Sequence, residues 1–506
     1  MHLSLSASCA WAHSYMAKSV VLTGAVALLV GCASMAPPYL QPGAPVAPTF
    51  DAVASKNAGL QEGADAALVD WNTYFTDPAL QTVIGMALVH NRDLRSAALR
   101  VEEARAAFNI QRSERWPTLS AQGSGDRSRV PGSLSPTGSS LVTSQYQLGV
   151  GVASWEVDFW GAVQSRSDAA LQSYLASDAA RRATVLSLVA QVANVYLGLR
   201  ELDERLALAR QTIDTRQESV RIFTRRVDVG ATSRLALTQV QTLLTQAQAL
   251  AAQLEQARTA QAHTLTLLTG APVTLARTDQ ALGAEGFGTP LAVGLPSDLL
   301  LNRPDIVAAE HQLRAANANI GAARAAYFPR VALTGALGTA SNELDGLLGS
   351  GSQTWSFGPR ISLPLWDGGR RDANLAVTQT RRALAVAAYE QSIQNAFRDV
   401  AEALSNQRWL RAQLDLAQAA LDVQTERARL SQLRYDNGAT SYLDVLDAQR
   451  DLLTAQQQRV QVRRALLSSH VALYSALGGG SRTLASPLDA QAPEPKALSI
   501  PVAPGR

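Results

Sequence analysis

The sequence is poor in the residue types from which catalytic and metal sites are usually built. Its 506 residues include only two cysteines and six histidines. The histidines of the mature chain show no metal-ligand spacing, and we find no phosphate loop, nucleophile elbow or paired general acid and base. We therefore expect no enzyme, no metal and no cofactor other than covalent lipid. The isolated histidines, interpreted as surface or packing residues, are His90, His263, His311 and His470.

Charge and long hydrophobic runs are also scarce. Only 17% of the residues are charged, and the net charge is +3. The basic residues are nearly all arginine and are spread along predicted helices, so the chain has no electrostatic footprint for a nucleic acid. Downstream of Cys32 no stretch of 18 apolar residues occurs, so we expect no transmembrane helix there.

The N-terminus contains one apolar stretch, Val21 to Cys32. It is too short to span a bilayer stably and is typical of a signal peptide, which predicts removal of residues 1–31. Its end, LVGC, resembles a bacterial lipoprotein box in which Cys32 becomes the acylated first residue, and Ala33 then favours the outer membrane. An ordinary buried cysteine is the alternative. Met16 begins a more natural signal peptide than Met1 does.

The chain repeats itself. RVDVGATSRLALTQVQ, which begins at Arg226, aligns with RYDNGATSYLDVLDAQ, which begins at Arg434, at an offset of 208 residues. Extended to Gln456, the alignment holds eleven identities in 23 positions. A period this long indicates two duplicated halves rather than a solenoid.

Two short patterns with a period of two predict a strand pair in each half. An apolar face alternates with a small or polar face over about the length of a tilted membrane strand. Two further strands follow aromatic-proline sites that end helices. Because four strands cannot close a membrane barrel, several chains must contribute; a soluble four-stranded sheet is the alternative. The predicted strands are Thr118 to Gly123, Tyr146 to Ala153, Arg330 to Gly338 and Trp355 to Leu365.

The remaining predicted structure is helix of unusual length. Gln164 to Val227 and Arg370 to Tyr435 contain no proline, and each helix would be about 96 to 99 Å long at about 1.5 Å per residue. Apolar residues from Leu199 to Val227 step by threes and fours, a heptad seam interrupted only by Arg216. The return helices, Arg234 to Leu268 and Tyr442 to Leu477, are about half as long. Helices Asp77 to Ser113 and Ser297 to Ala326 would stack on them end to end.

These elements predict a mainly α chain with a membrane β-barrel. Each repeat contains a helix, a strand pair and a long helical hairpin. A lipidated extended segment precedes the first repeat, an irregular connection joins the two, and a disordered tail follows. The predicted boundaries are 32–76 for the extended segment, 77–270 for repeat one, 271–296 for the connection, 297–478 for repeat two and 479–506 for the tail.

Four long motifs resemble the outer membrane factor family, TolC-like exit ducts, and most closely its OprM and NodT lipoprotein branch. The resemblance covers essentially the whole mature chain. The motifs are APPYLQPGAPVAPTF from Ala36, LPSDLLLNRPDIVAAEHQLRAANANIGAARAAYFPRVALTGALG from Leu295, WSFGPRISLPLWDGG from Trp355 and YDNGATSYLDVLDAQR from Tyr435.

The resemblance implies a homotrimer. Four strands from each chain would form a 12-stranded barrel in outer-membrane lipid, continued by a periplasmic α-helical coiled-coil barrel; strand arithmetic alone also allows a dimer. Substrates would come from an inner-membrane pump of the resistance-nodulation-division class through a periplasmic adaptor, a membrane fusion protein. The chain would be a passive duct.

The resemblance also assigns roles at the hairpin tips. Asp444 and Asp447 occupy positions where the family has aperture aspartates, and Tyr435 matches a tyrosine that helps to hold the aperture shut. Repeat one has Ala236 and Gln239 instead of the aspartates, so only one hairpin could supply a ring. Two aspartates that favour a helix dipole and face water are the alternative.

The turn motifs match adaptor-contacting tips in the family, although turn chemistry alone also explains their glycines. These residues are Val229, Gly230 and Ala231 in repeat one and Asn437, Gly438, Ala439 and Thr440 in repeat two.

Two other functions compete with a duct. A lipid-anchored periplasmic coiled-coil scaffold or adaptor would explain the heptads but leaves the alternating strands without a purpose. A lipid-anchored enzyme is opposed by the lack of a recognisable site.

Overall fold

The computed structural model describes residues 34–47, 64–136, 138–278, 287, 290–292 and 296–483. The predicted signal peptide and Cys32 lie outside them. The chain divides into two compact units, each assembled from separate segments. The first comprises Met1–Pro42, Glu102–Ala176 and Ala309–Tyr389, and the second comprises Gly43–Val101, Ser177–Ala308 and Glu390–Arg506.

The first unit contains one antiparallel four-stranded sheet. Alternating apolar and small or polar residues form all four predicted strands, mostly over longer stretches than predicted. β6 is the exception, because it ends at Ser362 and leaves Leu363 and Leu365 outside the strand. The strand order is β2-β3-β5-β6, where β2 is Leu119–Val130, β3 is Leu141–Val157, β5 is Arg330–Ser341 and β6 is Gln353–Ser362.

The register places the large apolar side chains on one face of this sheet. Val150 is opposite Leu337, and Leu337 is opposite Trp355. These three side chains are 45%, 64% and 77% exposed. The opposite face carries small or polar residues, because the side chains of a strand alternate between its faces. The sheet therefore presents an apolar surface that this chain does not cover.

The helices follow the predicted order. Of the two long helices, α4 is Ala162–Asp228 and α8 is Arg370–Asp436, both of 67 residues. Their return helices are α5, Arg234–Thr269, and α9, Tyr442–Ala476. The shorter helices are α1, Trp71–Tyr74; α2, Pro78–His90; α3, Arg92–Ser113; α6, Pro296–Asn302; and α7, Pro304–Ala325.

The prediction of two continuous helices over Asp77 to Ser113 and Ser297 to Ala326 was wrong, because each is broken. At the first break, Asn91 has extended backbone and its side chain caps α3 by accepting from the Leu94 N–H at 2.8 Å. The same side chain donates to the Leu268 carbonyl at 2.7 Å, which places the end of α5 against the break. At the second break, Pro304 begins a new helix, where proline is best tolerated.

One helix also departs from the expectation that no segment after Cys32 could cross a membrane. By length and composition alone, α4 contains an 18-residue window that is apolar enough to do so. However, 56% of that window is buried inside the structure, and α4 supplies core residues such as Val192 and Tyr196. Packing in the core accounts for its apolar character.

The segment predicted to be extended contains short elements of the second unit. Ala64–Asp65, β1, pairs in parallel with Leu291–Ala292, β4. The Tyr74 ring stacks on Tyr474 of α9, with centroids 4.5 Å apart. The predicted disordered tail begins too early, since Gly480 and Arg482 donate backbone hydrogen bonds to Ala66 and Ala67. The part of that tail beyond residue 483 lies outside the described residues.

Close packing between β3 and β5 makes Gly338→Ala a test of the sheet. A Cβ at Gly338 would lie 2.3 Å from the Leu148 carbonyl oxygen and 2.6 Å from Gly149 Cα, so we expect about 1–3 kcal/mol of destabilisation or more. The matched control is Gly123→Ala, whose Cβ would make an ordinary 3.6 Å contact with Leu148 Cδ1. The yield of folded protein in the membrane fraction measures the effect. Equal yields of the two variants would contradict the close approach.

Candidate functional site at the helical hairpin tips

The two hairpin turns have the same backbone geometry. In each turn a glycine has positive φ, +71° at Gly230 and +72° at Gly438. In each, the next residue donates back into the long helix, from Ala231 to Arg226 at 2.7 Å and from Ala439 to Arg434 at 2.8 Å. This is the Schellman pattern, in which a left-handed residue lets the helix end satisfy its last carbonyl groups. The shared GATS sequence therefore encodes one turn twice.

A cluster of buried apolar residues lies behind the turns. It contains Phe223 of α4, Val240 of α5 and Leu446 of α9. The Phe223 ring packs on that of Tyr442 with centroids 4.4 Å apart. Because these residues come from both repeats, the two hairpins share one core near their tips. We name this group the tip cluster.

Polar contacts also join the hairpins. Arg226 Nη1 donates to the Tyr435 hydroxyl, and the Tyr435 ring packs on Tyr442 at 4.8 Å. The Tyr442 hydroxyl donates to Ser219 Oγ at 3.0 Å, and burial raises the pKa of this hydroxyl, so it stays protonated. Repeat one thus reaches repeat two through Arg226, a partner that the sequence comparison did not identify.

The two aspartates of repeat two lie in the first turns of α9 and are paired within the chain. Asp444 is exposed and accepts from the Thr440 hydroxyl. Asp447 is half-buried and forms an ion pair with Arg450 Nη1 at 3.2 Å. Arg450 also pairs with Asp451 at 2.9 Å. Arg450 therefore offsets the charge of Asp447, whereas Asp444 has only a hydroxyl partner among the described residues.

Asp451 belongs to a further link between α8 and α9. It accepts from Arg427 at 2.6 Å, and the hydrogen bonds from Arg427 and then Arg450 lower the pKa of its carboxyl. It therefore stays ionised at neutral pH. Arg427 was not identified in the sequence; its position two turns before Tyr435 was the available signal.

Repeat one lacks these charges and begins its return helix differently. Ser233 Oγ accepts from the Ala236 N–H at 3.2 Å, a hydroxyl cap. The corresponding Ser441 makes no side-chain cap, and the Thr440 hydroxyl is engaged with Asp444 instead. The two turns thus share a backbone geometry but present different side chains, as the alignment of Ala236 with Asp444 predicts.

A band of buried ionic contacts, the ionic belt, ties α4 to both return helices. Arg258 of α5 donates to Asp203 at 2.5 Å, and Arg463 of α9 donates to Glu204. Arg205 Nε donates to Gln457 Oε1 at 2.6 Å, and Gln457 donates back to the Arg205 carbonyl at 3.0 Å. Removal of one partner of a buried ion pair strongly destabilises the fold, because the other charge stays buried without a partner. The belt therefore fixes the register of the three helices.

His90 and His263 are exposed, and the other two histidines occupy packing positions. His311 Nδ1 lies 2.7 Å from Gln172 Oε1, and the His470 ring packs against Phe287 at 5.5 Å. Within the described part of the chain, no group of three or more His, Cys, Asp or Glu side chains could hold a metal ion.

The chain is similar to known proteins over most of its length. A family model described as outer membrane efflux protein matches residues 83–271 and 295–479. The chain is 44% identical over 456 residues to the solvent efflux pump outer membrane protein SrpC of Pseudomonas putida. The aligned residues make up 90% of this chain and 96% of SrpC. It is 41% identical to outer membrane protein OprJ of Pseudomonas aeruginosa, in an alignment that spans 90% of this chain and 94% of OprJ.

A solved structure agrees with these relatives. The open state of the Neisseria gonorrhoeae MtrE outer membrane channel superimposes on this chain with a TM-score of 0.80 at 37% identity. The superposition covers 89% of this chain and 99% of MtrE. The chain belongs to the outer membrane efflux protein family. It is an outer-membrane efflux protein with a TolC-like, mainly helical fold, and its role is transport rather than catalysis. The resemblance drawn from the sequence is confirmed.

The tip glycines provide a test of this site. Gly230→Val and Gly438→Val place a β-branched side chain at φ +71° and +72°, where only glycine is unstrained. We expect efflux to fall with normal protein yield, because no atom beyond the chain neighbours lies within 4 Å of either added Cβ. Gly85→Val, in helix α2, is the control for β-branching at an open position with ordinary φ. Efflux of a toxic substrate by cells measures the result, and wild-type efflux in both tip variants would argue against a functional tip.

Proposed function

We propose that the protein is the passive, homotrimeric exit duct of a tripartite efflux system. Four strands from each of three chains form a 12-stranded barrel in the outer membrane of a Gram-negative bacterium. The helices form a periplasmic tunnel that receives substrates from an inner-membrane pump of the resistance-nodulation-division class. A periplasmic adaptor, a membrane fusion protein, joins pump and duct.

The observation that carries this proposal is the unfinished sheet. Within the described residues, β2 and β6 each pair on one side only. In a lipid environment every backbone N–H and C=O group needs a partner, so an open edge cannot remain there. Since the exposed face of the same sheet is apolar, pairing of β6 of one chain with β2 of the next satisfies both requirements.

Exposed aromatic residues at the strand ends fit a membrane boundary. Trp116, just before β2, and Trp366, just after β6, are 73% and 87% exposed. Tryptophan is enriched at the interfacial girdles of outer-membrane barrels, where its ring meets both lipid and water.

The tip half of α8 offers a second surface for other copies. Large apolar residues recur every seven positions and are all exposed, although they would form a coiled-coil seam if a helix covered them. From residue 405 to 436, no described side chain of α8 is buried within the chain. A neighbouring copy of the duct is the partner that fits. The exposed seam consists of Trp409, Leu416, Val423 and Leu430.

Lipid attachment at Cys32 is supported by the segment that follows it. Ser34 Cα would lie 2.8 Å from a Cβ on Gly161, just after β3, and Ser34 Oγ lies 3.1 Å from Ser165 Oγ. Ser34, the first described residue, therefore lies beside the helix-side end of the strands, which fits a lipid anchor upstream of it at the proposed membrane surface.

At the periplasmic end, three copies of Asp444 and Asp447 would surround one constriction and attract cations. Tyr435 and Arg226 would hold neighbouring hairpins together in the closed state. The exposed turn residues would contact the adaptor: Val229, Gly230, Ala231, Asn437, Gly438, Ala439 and Thr440.

Cys32→Ser tests whether the barrel or the lipid holds the protein in the membrane. One acyl anchor gives only marginal membrane binding compared with insertion, so we expect a folded trimer that still needs detergent for extraction. Fractionation followed by light scattering of the extracted protein measures both properties. A folded monomer in the soluble periplasmic fraction would contradict the barrel and favour the anchored scaffold.

Asp444→Ala combined with Asp447→Ala tests the duct and its aperture together. In planar bilayers, the wild-type trimer should conduct, and the double variant should lose cation selectivity and block by multivalent cations from the periplasmic side, because the carboxylates are the source of the field. The control is Asp228→Ala with Asp436→Ala, which removes equal charge at the ends of the long helices. A wild-type protein without conductance would refute the duct, whereas unchanged selectivity of the double variant would refute only the ring.

A further inference from the structure

Arg216 occupies a core position in the first hairpin. On α4, Ala209, Arg216 and Phe223 are spaced seven residues apart and are 0%, 3% and 3% exposed. On the antiparallel helix α5, Leu254 packs with Ala209, and Val240 packs with Phe223. The heptad position between them on α5 is Ala247, which is 1% exposed. The long arginine side chain therefore lies in the layer where the heptad position of α5 holds alanine rather than valine or leucine.

The guanidinium of Arg216 is poorly satisfied in this layer. Nη1 donates to the Leu243 carbonyl at 2.5 Å. Among the described residues, Nε and Nη2 have no hydrogen-bond acceptor and no carboxylate lies at ion-pairing distance. Burial without a counter-ion lowers the pKa of this guanidinium. A buried charge without a partner destabilises the packing around it.

Arg216 also separates two apolar groups that would otherwise be continuous. On one side, Leu206, Ala209 and Leu254 form a core next to the ionic belt. On the other side lies the tip cluster. An uninterrupted apolar seam would couple these two groups, since knobs-into-holes contacts pass from one heptad to the next.

We infer that Arg216 is a positioning residue that makes its layer the flexion point of the first hairpin. The belt side holds α4 and α5 in fixed register, and the part of this hairpin on the tip side of Arg216 bends away when the aperture opens. This inference rests on the proposed duct function and assigns the regulation of its aperture to a residue that touches neither the turns nor the aspartates.

Arg216→Met tests the inference, because methionine has similar length and fills the layer with apolar atoms. Removal of a buried unpaired charge should slow hydrogen exchange of the backbone amides from 216 to 243 about tenfold or more. Amides of the ionic belt should be unchanged. The channel should open less often in planar bilayers. Gln424→Met is the matched control, since Gln424 is the repeat-two counterpart of Arg216 at the offset of 208 residues.

Arg216→Lys provides a second variant that keeps a basic, polar head group in the layer, so its exchange and opening should lie nearer to those of the wild type than to those of Arg216→Met. Unchanged exchange in Arg216→Met, or slower exchange with wild-type opening, would overturn the inference. Failure of Arg216→Met to assemble would also overturn it, since the guanidinium would then be needed for the fold. If the wild-type protein does not conduct, the duct proposal itself fails, and the exchange data still decide whether Arg216 loosens the hairpin.

Discussion

The unpaired edges of the four-stranded sheet are the constraint on which the rest of the structure depends. A strand in lipid has no water with which to satisfy its backbone, so one chain with two open edges is incomplete by itself. The same incompleteness recurs on α8, whose apolar heptads face away from their own chain. In the proposed assembly, neighbouring copies of the chain would cover both the sheet edges and the α8 seam, so the membrane element and the helical element would be completed together.

Duplication explains why the two hairpins look alike and differ where function is expected. The backbone of each turn is fixed by a positive-φ glycine and the two carbonyl groups it helps to satisfy, so both copies retain it. Side chains beyond the turn carry no such requirement. Repeat two has Asp444 and Asp447, whereas repeat one has uncharged residues at the aligned positions and contributes Arg226 to Tyr435. The shared contact between hairpins thus uses different residues from each copy.

Much of the fold could be predicted from local patterns, and most of the site contacts could not. Strand positions followed from alternation, and the long helices followed from the absence of proline over more than 60 residues. The break at Asn91 was missed because its cause is distant: the side chain is held by the carbonyl of Leu268, 177 residues away. The ionic belt was missed for the same reason, since Arg463 and Glu204 are 259 residues apart. Spacing along one helix cannot reveal such pairs.

A passive duct supplies no energy for its own opening. Its closed state must therefore be weak enough for a bound partner to open. One hydrogen bond between Arg226 and Tyr435 contributes about 0.5–1.5 kcal/mol net, and the three copies of the proposed trimer would contribute about 1.5–4.5 kcal/mol. Because the pair is exposed, the lower end of that range applies. Reversing a two-state population from 1:99 to 99:1 takes about 5.5 kcal/mol of differential binding. The binding energy of one adaptor interface can therefore break polar links of this strength. It could not break a continuous apolar seam through all the heptads.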